Sequence, residues 1–569
     1  MKKITVSRKE FLKLTGVVTA GAVAAACAPA ATAVPVAAIE APAATSAPAA
    51  TSAPAATSVP EATVVPAVAV SDGPKKGGVL NVGLHIPFAT LDWQATVQHP
   101  APHVQSNVWE GLTAYAKDFT AALELAESIT PTDSGKVWTI NLRQGVLFHN
   151  LKEMTSADVK ASVERWLKVG PKGLALAPEV DKVDATDKYV VTLTFKNPIG
   201  QTLLLVLGSD ENKCVIMPKE ICDASPEANK LSEIIGTGPY KWTEYKEDQY
   251  ILLTRFDGYV PRSDAPNYQT GMKVPYMDQI KFWIVPETST RIAGLSSGEY
   301  DVILEVPDTE YDNLTSTDGV RAVKIGPADN LYIMFNHQKG LTSNILIRKA
   351  IQAALNADEI MAAAVPNPAF RLLDGSFFPP ESAYHNAARV ELYNMNNIEK
   401  SKEYLKQAGY NGEPITYQVI GTNETQVRTG TAVVGQLKKA GMNAEVLTYD
   451  LQTWVAKRRD GNALMMYNSG GNWIDPSMYQ PEFNGTFPSK ETGFKDPEVD
   501  KVFEELNRAT DTEKRKVLAQ DLQTLFYDKV ATYNIGYRYK VGASRDYVMD
   551  PEGNLALGNL TLNNIWLNK

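Results

Sequence analysis

Apolar and polar residues alternate along four segments of the chain with the two-residue period of a β-strand. These segments are 137–143, 189–195, 249–256 and 279–285. Alternation of this kind places apolar side chains on one face of a sheet and polar side chains on the other. The four segments are therefore predicted to be strands.

Four other segments repeat their apolar residues every three or four positions, as one face of a helix does. One of them follows Ser156, a residue type that caps helices, and another follows Asp496 and Pro497, which are typical of a helix start. The four apolar faces consist of Val159, Val163, Trp166 and Leu167, of Ile347, Ile351, Ala354 and Leu355, of Val499, Val502, Phe503 and Leu506, and of Leu518, Leu522, Leu525 and Phe526. With the predicted strands, these helices indicate a large α/β protein.

The first 26 residues have the composition of an export signal. A basic beginning is followed by an apolar run over residues 17–26, about half of the ~20 residues that a membrane-spanning helix needs. The run ends in "VAAAC", which resembles a bacterial lipobox, where the chain is cut and the cysteine is acylated. We therefore predict a lipoprotein signal peptide over residues 1–26 and lipid attachment at Cys27. "SRKEFLK" resembles the twin-arginine motif with Lys9 in place of the second arginine, so the general and twin-arginine export routes both stay open.

Residues 27–76 are predicted to be a disordered tether. Alanine, proline, threonine and serine dominate this segment, and prolines recur every six residues from Pro42 to Pro60. A segment so poor in large apolar side chains cannot bury enough surface to offset the entropy of ordering it. Its prolines keep it extended. The folded body is expected to begin near Lys75.

The net charge of the chain argues against one class of function, and its cysteines allow one disulfide. The whole chain has a net charge of −9, and removal of the basic signal peptide would make it more negative. An acidic body argues against nucleic-acid binding, which needs concentrated positive charge. Beyond Cys27, only Cys214 and Cys222 remain. In an exported protein they could form one disulfide or stay reduced, and both alternatives are open.

Six motifs occur in the order found in family 5 of the bacterial solute-binding proteins, and each resembles the sequence of that family. They are the segment from "LAES" to "SVER" (125–165), the segment beginning "GTGPY" (236–259), "STRIAGLSSGEYDV" (289–302), "NILIRKAIQAALNADEI" (344–360), "EYLKQAGYNG" (403–412) and "NWIDPS" (472–477). The correspondence extends over essentially all of residues 77–569.

The resemblance implies a periplasmic-binding-protein-like α/β fold of the cluster C type, with two hinged α/β lobes and an extra domain inserted into the first lobe. The first lobe would combine residues 77–112, 231–328 and 540–569. The inserted domain would cover residues 113–230, and the second lobe residues 329–539. Two lobes on a hinge can close over a solute and present a changed surface to a partner.

The family includes the dipeptide- and oligopeptide-binding components of ABC importers, so the resemblance implies a binding protein and not an enzyme. We expect a monomer, held outside the cytoplasm by the lipid on Cys27, that captures an oligopeptide-like solute. It would deliver the solute to a membrane permease that works with cytoplasmic ATPases. Neither a cofactor nor a metal ion is expected.

The resemblance also implies where the solute binds. Peptide-binding members carry an aspartate three residues before the acid of the "DP" pair, where it receives the terminal ammonium of the peptide. Counting back from Asp475 gives Asn472, and an asparagine cannot neutralise a buried cation. An oligosaccharide or another polar solute is therefore the alternative to a peptide. The other ligand-binding candidates in and near this loop are Trp473, Asn468, Tyr467 and Arg458, the last with a surface ion pair as its alternative role.

A tethered extracytoplasmic hydrolase is the alternative of a different class. "GLSSG" (294–298) matches the nucleophile elbow, which needs a strand before its serine and a helix after it. The pattern around Ser296 predicts the reverse order. His99 and His103 are four residues apart, as metal ligands on a helix are, but the two prolines between them forbid a shared helical face.

Overall fold

The computed structural model describes residues 73–85, 90–95, 101–208, 212–459, 465–470, 474–485, 492–557 and 562–569. The predicted signal peptide, Cys27, most of the tether, Asn472 and Trp473 lie outside these residues.

The strands are, in chain order, β1 (Val79–Leu84), β2 (Thr113–Tyr115), β3 (Ala121–Leu123), β4 (Ala126–Thr132), β5 (Val137–Leu142), β6 (Val180–Asp187), β7 (Val190–Phe195), β8 (Tyr240–Lys246), β9 (Tyr250–Arg255), β10 (Gln279–Ile284), β11 (Val302–Val306), β12 (Val320–Phe335), β13 (Arg371–Leu372), β14 (Ile415–Ile420), β15 (Ala444–Tyr449), β16 (Met465–Gly470), β17 (Thr532–Arg545), β18 (Val548–Met549) and β19 (Trp566–Leu567). The four strands predicted from alternation are confirmed as β5, β7, β9 and β10.

The α-helices are, in chain order, α1 (Ala101–Gln105), α2 (Ser156–Val169), α3 (Pro171–Leu176), α4 (Thr202–Gly208), α5 (Lys219–Ala224), α6 (Thr288–Ser297), α7 (Tyr311–Ser316), α8 (Ile345–Ala354), α9 (Ala357–Ala364), α10 (Ile398–Ala408), α11 (Glu424–Lys439), α12 (Leu451–Arg459), α13 (Gln480–Phe483), α14 (Pro497–Arg508) and α15 (Thr512–Lys529). Of the helices that the structure describes, none combines the length and apolar composition required to cross a membrane.

The predicted helix starts are right in one case and displaced by one residue in another. Asp496 caps α14, because its carboxylate accepts hydrogen bonds from the backbone N–H groups of Glu498 and Val499. Ser156, however, is the first residue of α2 and not its cap. Thr155 caps this helix, and Asp158 completes a capping box with it.

Most strands belong to one large mixed sheet with the order β15-β14-β16-β12-β17-β11-β1-β10-β9-β8, and β13 adds to β17. β12 and β17 are its longest strands and pair with each other along most of their length. Their register shifts between Ile325 and Asp329 of β12, so the ladder is interrupted midway along the two strands.

Apolar residues pack into separate cores around this sheet. A four-stranded sheet, β4-β5-β7-β6, packs with α2 into a core built from residues 112–216. A second core combines residues 80–109 with residues 215–325 and 548–567. A third is built from residues 377–531, where the apolar faces of α14 and α15 meet. A fourth includes α8 and α11 and extends across both halves of the large sheet. The domain boundaries given by the resemblance remain a prediction.

Cys214 and Cys222 are both buried, and both are free thiols. The structure therefore contains the reduced alternative and not the disulfide. Burial raises the pKa of Cys222 to about 11 and also raises the pKa of Cys214. Thiols of this kind are poor nucleophiles because the thiolate is disfavoured.

Candidate functional site

The large sheet contains two sets of parallel strands that run in opposite directions. β10, β1 and β11 form one parallel set. β15, β14 and β16 form the other. β12 is antiparallel to both β16 and β17, and β17 is antiparallel to β11. β12 therefore runs in the direction of the first set and against the second.

The carboxyl ends of the two sets face each other. Val306 at the end of β11 pairs with Val541 of β17, which in turn pairs with Lys324 of β12. Gly470 at the end of β16 pairs with Asn330, which lies six positions further along β12. The two sets therefore end on opposite sides of the short segment between Lys324 and Asn330.

Ligands of open α/β sheets bind outside the carboxyl ends of the strands, at the point where the direction of the chain connections reverses. The segment 325–329 of β12 is such a point, and it is also where the β12–β17 register shifts. We call this region the crossing site. It consists of residues 325–329, residues 538–540 of β17, and the strand ends at residues 84–85, 305–306 and 470.

Glu305 contributes a half-buried carboxylate to the crossing site. It has a left-handed φ of 51° at the irregularity in the β11–β17 ladder, which is a strained conformation for a residue other than glycine. Its Oε2 lies 2.9 Å from Nε2 of His85, and its Oε1 lies 3.5 Å from Nζ of Lys540. Burial acts to raise the pKa of Glu305, but the hydrogen bond from His85 and the charge of Lys540 outweigh it and hold the pKa well below its ordinary value.

Further charged groups surround β12 and β17 at the crossing site. Nη2 of Arg538 lies 3.3 Å from Oδ2 of Asp329. The hydroxyl of Tyr539 donates a hydrogen bond of 3.1 Å to Oε1 of Glu381, and Nζ of Lys324 lies 3.8 Å from the centre of the Tyr539 ring. Burial lowers the pKa of Lys324, against the opposing effect of Glu381. Charges of both signs suit a polar or zwitterionic solute.

Four of the ligand-binding candidates lie on or directly after β16. Tyr467 and Asn468 are within this strand, and their side chains are not described. Asn472 and Trp473 lie outside the described residues, in the connection that follows the carboxyl end of β16. Their position in the chain is the one that the strand-end rule favours for ligand binding, and their role remains a prediction.

Arg458 lies near the end of α12, where it already has partners. Its Nη2 lies 3.6 Å from Oε1 of Glu482 and 3.8 Å from Sδ of Met334, and its guanidinium stands 5.2 Å from the centre of the Trp454 ring. Both members of the ion pair are largely buried, with side chains 18% and 15% exposed, so it is not a surface pair. The hydroxyl of Tyr332 donates to Oε2 of the same Glu482. These contacts give Arg458 a structural role, and a solute contact remains a prediction.

A buried ion pair fixes the start of the segment 474–485. Nη2 of Arg515 lies 2.8 and 2.7 Å from the two carboxylate oxygens of Asp475. Asp475 also caps the short 3-10 helix Pro476–Tyr479 through the backbone N–H of Ser477. The sequence motif therefore contains an acid that binds Arg515 and caps a 3-10 helix, three residues after the position predicted to bind the solute.

No pattern in the sequence identified His85, Glu305 or Glu381 as residues of the site. His85 follows β1 directly, and Glu305 lies near the end of β11. The available signal was their position at the ends of short apolar runs, in "NVGLH" and "DVILE". Glu381 lies in an irregular segment, and no pattern in the sequence distinguishes it from other surface acids.

No group of three or more histidine, cysteine, aspartate or glutamate side chains is arranged to hold a metal ion within the described part of the chain. Ser296 lies in α6 and precedes β11, which confirms the order of helix and strand predicted around "GLSSG". Its hydroxyl donates to the carbonyl of Ile292 in its own helix.

The sequence model of the bacterial extracellular solute-binding proteins, family 5, matches residues 120–491, more than half of the chain. The chain belongs to this family. Its fold is the periplasmic-binding-protein fold of that family, and its biochemical class is that of the extracytoplasmic solute-binding proteins.

Relatives of this solute-binding protein include two bacterial proteins named for peptide binding. It is 26% identical over 500 residues to the oligopeptide-binding protein AppA of Bacillus subtilis, a match that covers 80% of this chain and 85% of the relative. It is 25% identical over 357 residues to the probable peptide ABC transporter periplasmic-binding protein y4tO of Sinorhizobium fredii. That match covers 60% of this chain and 64% of the relative.

Among solved structures, the chain is similar to the periplasmic binding protein DppA from Helicobacter pylori in complex with the peptide STSA. The TM-score is 0.70 and the sequence identity 21%, and the match covers 87% of this chain and 99% of DppA. At this identity the likeness establishes the fold.

Proposed function

We propose that this protein is the substrate-binding component of an ABC importer and captures a peptide-like solute at the crossing site. The observation that carries the proposal is the opposition of the two carboxyl edges across residues 325–329 of β12. Loops from both sets of strands can contact one solute there, and a solute bound between them is enclosed when the two sets approach.

Closure around the solute is proposed to occur by bending at the crossing site. β12 and β17 connect the two sets of strands, and their ladder is interrupted at the proposed bend. A few residues at the ends of elements are sufficient to absorb the rotation of a hinge. The lobes would have the boundaries that the family resemblance implies, with residues 113–230 as the inserted domain.

A peptide-like solute is favoured by two observations. The relatives reported above are named for oligopeptide or peptide binding, and a structural neighbour holds a peptide. The crossing site also contains both carboxylates and cations, as a zwitterionic solute requires. The asparagine at position 472 supports the alternative, an oligosaccharide or another neutral polar solute, because its amide forms hydrogen bonds without a charge.

The lipid on Cys27 would hold the protein, as a monomer, on the outer side of the cytoplasmic membrane, close to its permease and the associated ATPases. The segment 27–76 would act as the tether. A binding component of this kind releases its solute unchanged, whereas a tethered hydrolase would convert it.

Thermal unfolding of the full-length protein in the presence of peptide and oligosaccharide libraries tests the proposal. A ligand at about 100 times its dissociation constant adds about 2.7 kcal/mol to the free energy of unfolding, so the correct solute raises Tm. We expect a peptide fraction to do so and to be recovered intact by mass spectrometry. A rise with oligosaccharides alone would support the alternative solute. Cleavage of the bound compound would contradict the binding function.

A further inference from the structure

The end of α14, in the predicted second lobe, meets the chain just before α4, in the predicted inserted domain. The last carbonyl groups of a helix have no partner within that helix. Here the backbone N–H of Gly200 donates a hydrogen bond of 2.5 Å to the carbonyl oxygen of Asn507 in the last turn of α14. The N–H of Gln201 donates a hydrogen bond of 2.8 Å to the carbonyl oxygen of Ala509. Groups from a distant part of the chain therefore satisfy the end of α14.

Side chains extend this contact. The hydroxyl of Thr512 donates a hydrogen bond of 3.1 Å to Oε1 of Gln201. Nη1 of Arg515 donates a hydrogen bond of 2.9 Å to the hydroxyl of Thr202. A small apolar cluster also joins the two sides and consists of Tyr115, Phe119, Leu205, Tyr268 and Ile474. The contact thus combines backbone, side-chain and apolar interactions.

Gly200 allows the two backbones to come close together. A Cβ atom at this position would lie 2.2 Å from the carbonyl oxygen of Ala509 and 2.7 Å from two further backbone atoms of the same residue. Any side chain at position 200 would therefore force the two backbones apart. We call residues 200–202 together with residues 507–515 the interlobe latch.

The inserted domain is attached to the predicted first lobe in a different way. Glu124 of the inserted domain forms ion pairs of 2.6 Å with Lys273 of the first lobe and of 2.9 Å with Lys213. Lys273 also lies 3.1 Å from Glu110, and all four side chains are at most 3% exposed. Separating buried ion pairs is costly, whereas water can replace the backbone hydrogen bonds of the latch. The inserted domain is therefore expected to move with the first lobe and to open at the latch.

We propose that the interlobe latch holds the two lobes together and thereby sets the fraction of molecules in the closed form. The proposal rests on the proposed hinge at the crossing site. The latch residues are not among those of the crossing site, so they stabilise the closed form with or without a solute. If the closed form retains the solute, the apparent dissociation constant varies inversely with the closed fraction. The latch therefore controls affinity without a contact to the solute.

Gly200→Ala tests the proposal, because the added methyl group fits the open form but not the latch. The φ of Gly200 is not left-handed, so alanine causes no backbone strain there. Spin labels at Leu174→Cys in α3 and Val517→Cys in α15, both exposed positions, report the separation of the lobes by double electron–electron resonance. The full-length chain carries Cys27→Ser, and its other two thiols are buried. Without solute, we expect the labelled parent protein to be mainly closed and the variant mainly open.

Solute affinity provides a second measurement. Native mass spectrometry with an equimolar tetrapeptide library should show about 5- to 50-fold weaker binding by Gly200→Ala, because the lost hydrogen bonds lower the closed fraction. Thr512→Val, which removes only the hydroxyl bond to Gln201, should change both measurements in the same direction by a smaller amount. Gly435→Ala is the matched control, since a Cβ atom at this position in α11 has no neighbour within 4 Å. It should behave as the parent protein does.

Three results would overturn the proposal. The first is an unchanged distance distribution in Gly200→Ala, and the second is an opened variant that binds the library as tightly as the parent protein. The third is a parent protein that is already open without solute, because the latch would then be too weak to hold the lobes. If the distances shift as expected but the parent protein does not bind the library, the latch is supported and the peptide-binding function fails.

Discussion

Arg515 binds Asp475 through both carboxylate oxygens, at 2.8 and 2.7 Å, and both side chains are completely buried. Burial acts to lower the pKa of Arg515, but the Asp475 carboxylate outweighs it and keeps the pKa above its ordinary value. Arg515 also donates to the hydroxyls of Tyr384 and Thr202. The pair thus connects the segment 474–485 with α4 and α15.

Arg515→Met should destabilise the protein by about 3–5 kcal/mol, because it leaves the Asp475 carboxylate buried without a partner. Urea unfolding of the full-length protein measures this loss. Arg508→Met is the control, since Arg508 forms an exposed pair with Glu504 and such pairs contribute at most about 1 kcal/mol. Equal losses for the two variants would contradict a structural role of the buried pair.

His337 should make the free energy of unfolding decrease as the pH is lowered. Its Nε2 lies 2.8 Å from the carbonyl oxygen of Ala531, and burial together with the charge of Arg348 lowers its pKa to about 3. Between pH 6.5 and 3 the unfolded state binds a proton that the folded state refuses, so acidification favours unfolding. At pH 5 this amounts to about 2 kcal/mol relative to pH 7.5.

His337→Gln removes the titrating group, so the substitution should destabilise the protein less at pH 5 than at pH 7.5. Chemical unfolding of both proteins at the two pH values provides the comparison. His149, whose pKa is also lowered by burial, to about 4, remains in both proteins and cancels in the difference. A loss of stability that is the same at both pH values would show that His337 is not kept neutral by the fold.

Cys27→Ser should release the protein from the membrane. Cys27 is the one lipidation candidate in the sequence motif, and a serine offers no thiol for acylation. Cell fractionation followed by a salt wash distinguishes a lipid anchor from electrostatic adhesion. A variant that stays with the membrane after the wash would contradict the lipoprotein prediction.

Asn472→Asp should report the class of the solute. If the solute is neutral, the new carboxylate must be desolvated without a cationic partner, and binding should weaken by about 1–3 kcal/mol. If the solute is a peptide amine, an ion pair replaces a neutral hydrogen bond and binding should strengthen. Titration calorimetry of both proteins with the best solute measures the sign. Identical affinities would place residue 472 away from the solute.

The saturating solute should reduce the radius of gyration if the two sets of strands approach each other on binding. Small-angle X-ray scattering of the full-length protein with and without solute measures this change, and a compound that does not raise Tm serves as the control. An unchanged radius at saturation would argue against bending at the crossing site.

The sequence predicted individual elements well, because their causes are local. β5, β7, β9 and β10 follow from alternation, and the start of α14 follows from Asp496 and Pro497. The start of α2 was displaced by one residue, since neighbouring hydroxyl residues can both cap a helix and only the backbone geometry at Thr155 decides between them. The motif order also determined the family, which the match over residues 120–491 confirms.

The sequence by itself thus determined the elements, the family and the loop in which Asn472 was expected to bind the solute. Only the tertiary structure decided which distant residues meet at the crossing site. Glu305, Glu381 and Tyr539 come from three separate segments, and their proximity results from strand order and register in the large sheet. The reason is physical: local periodicity encodes which face of an element is apolar, whereas long-range pairing depends on the packing of the whole chain.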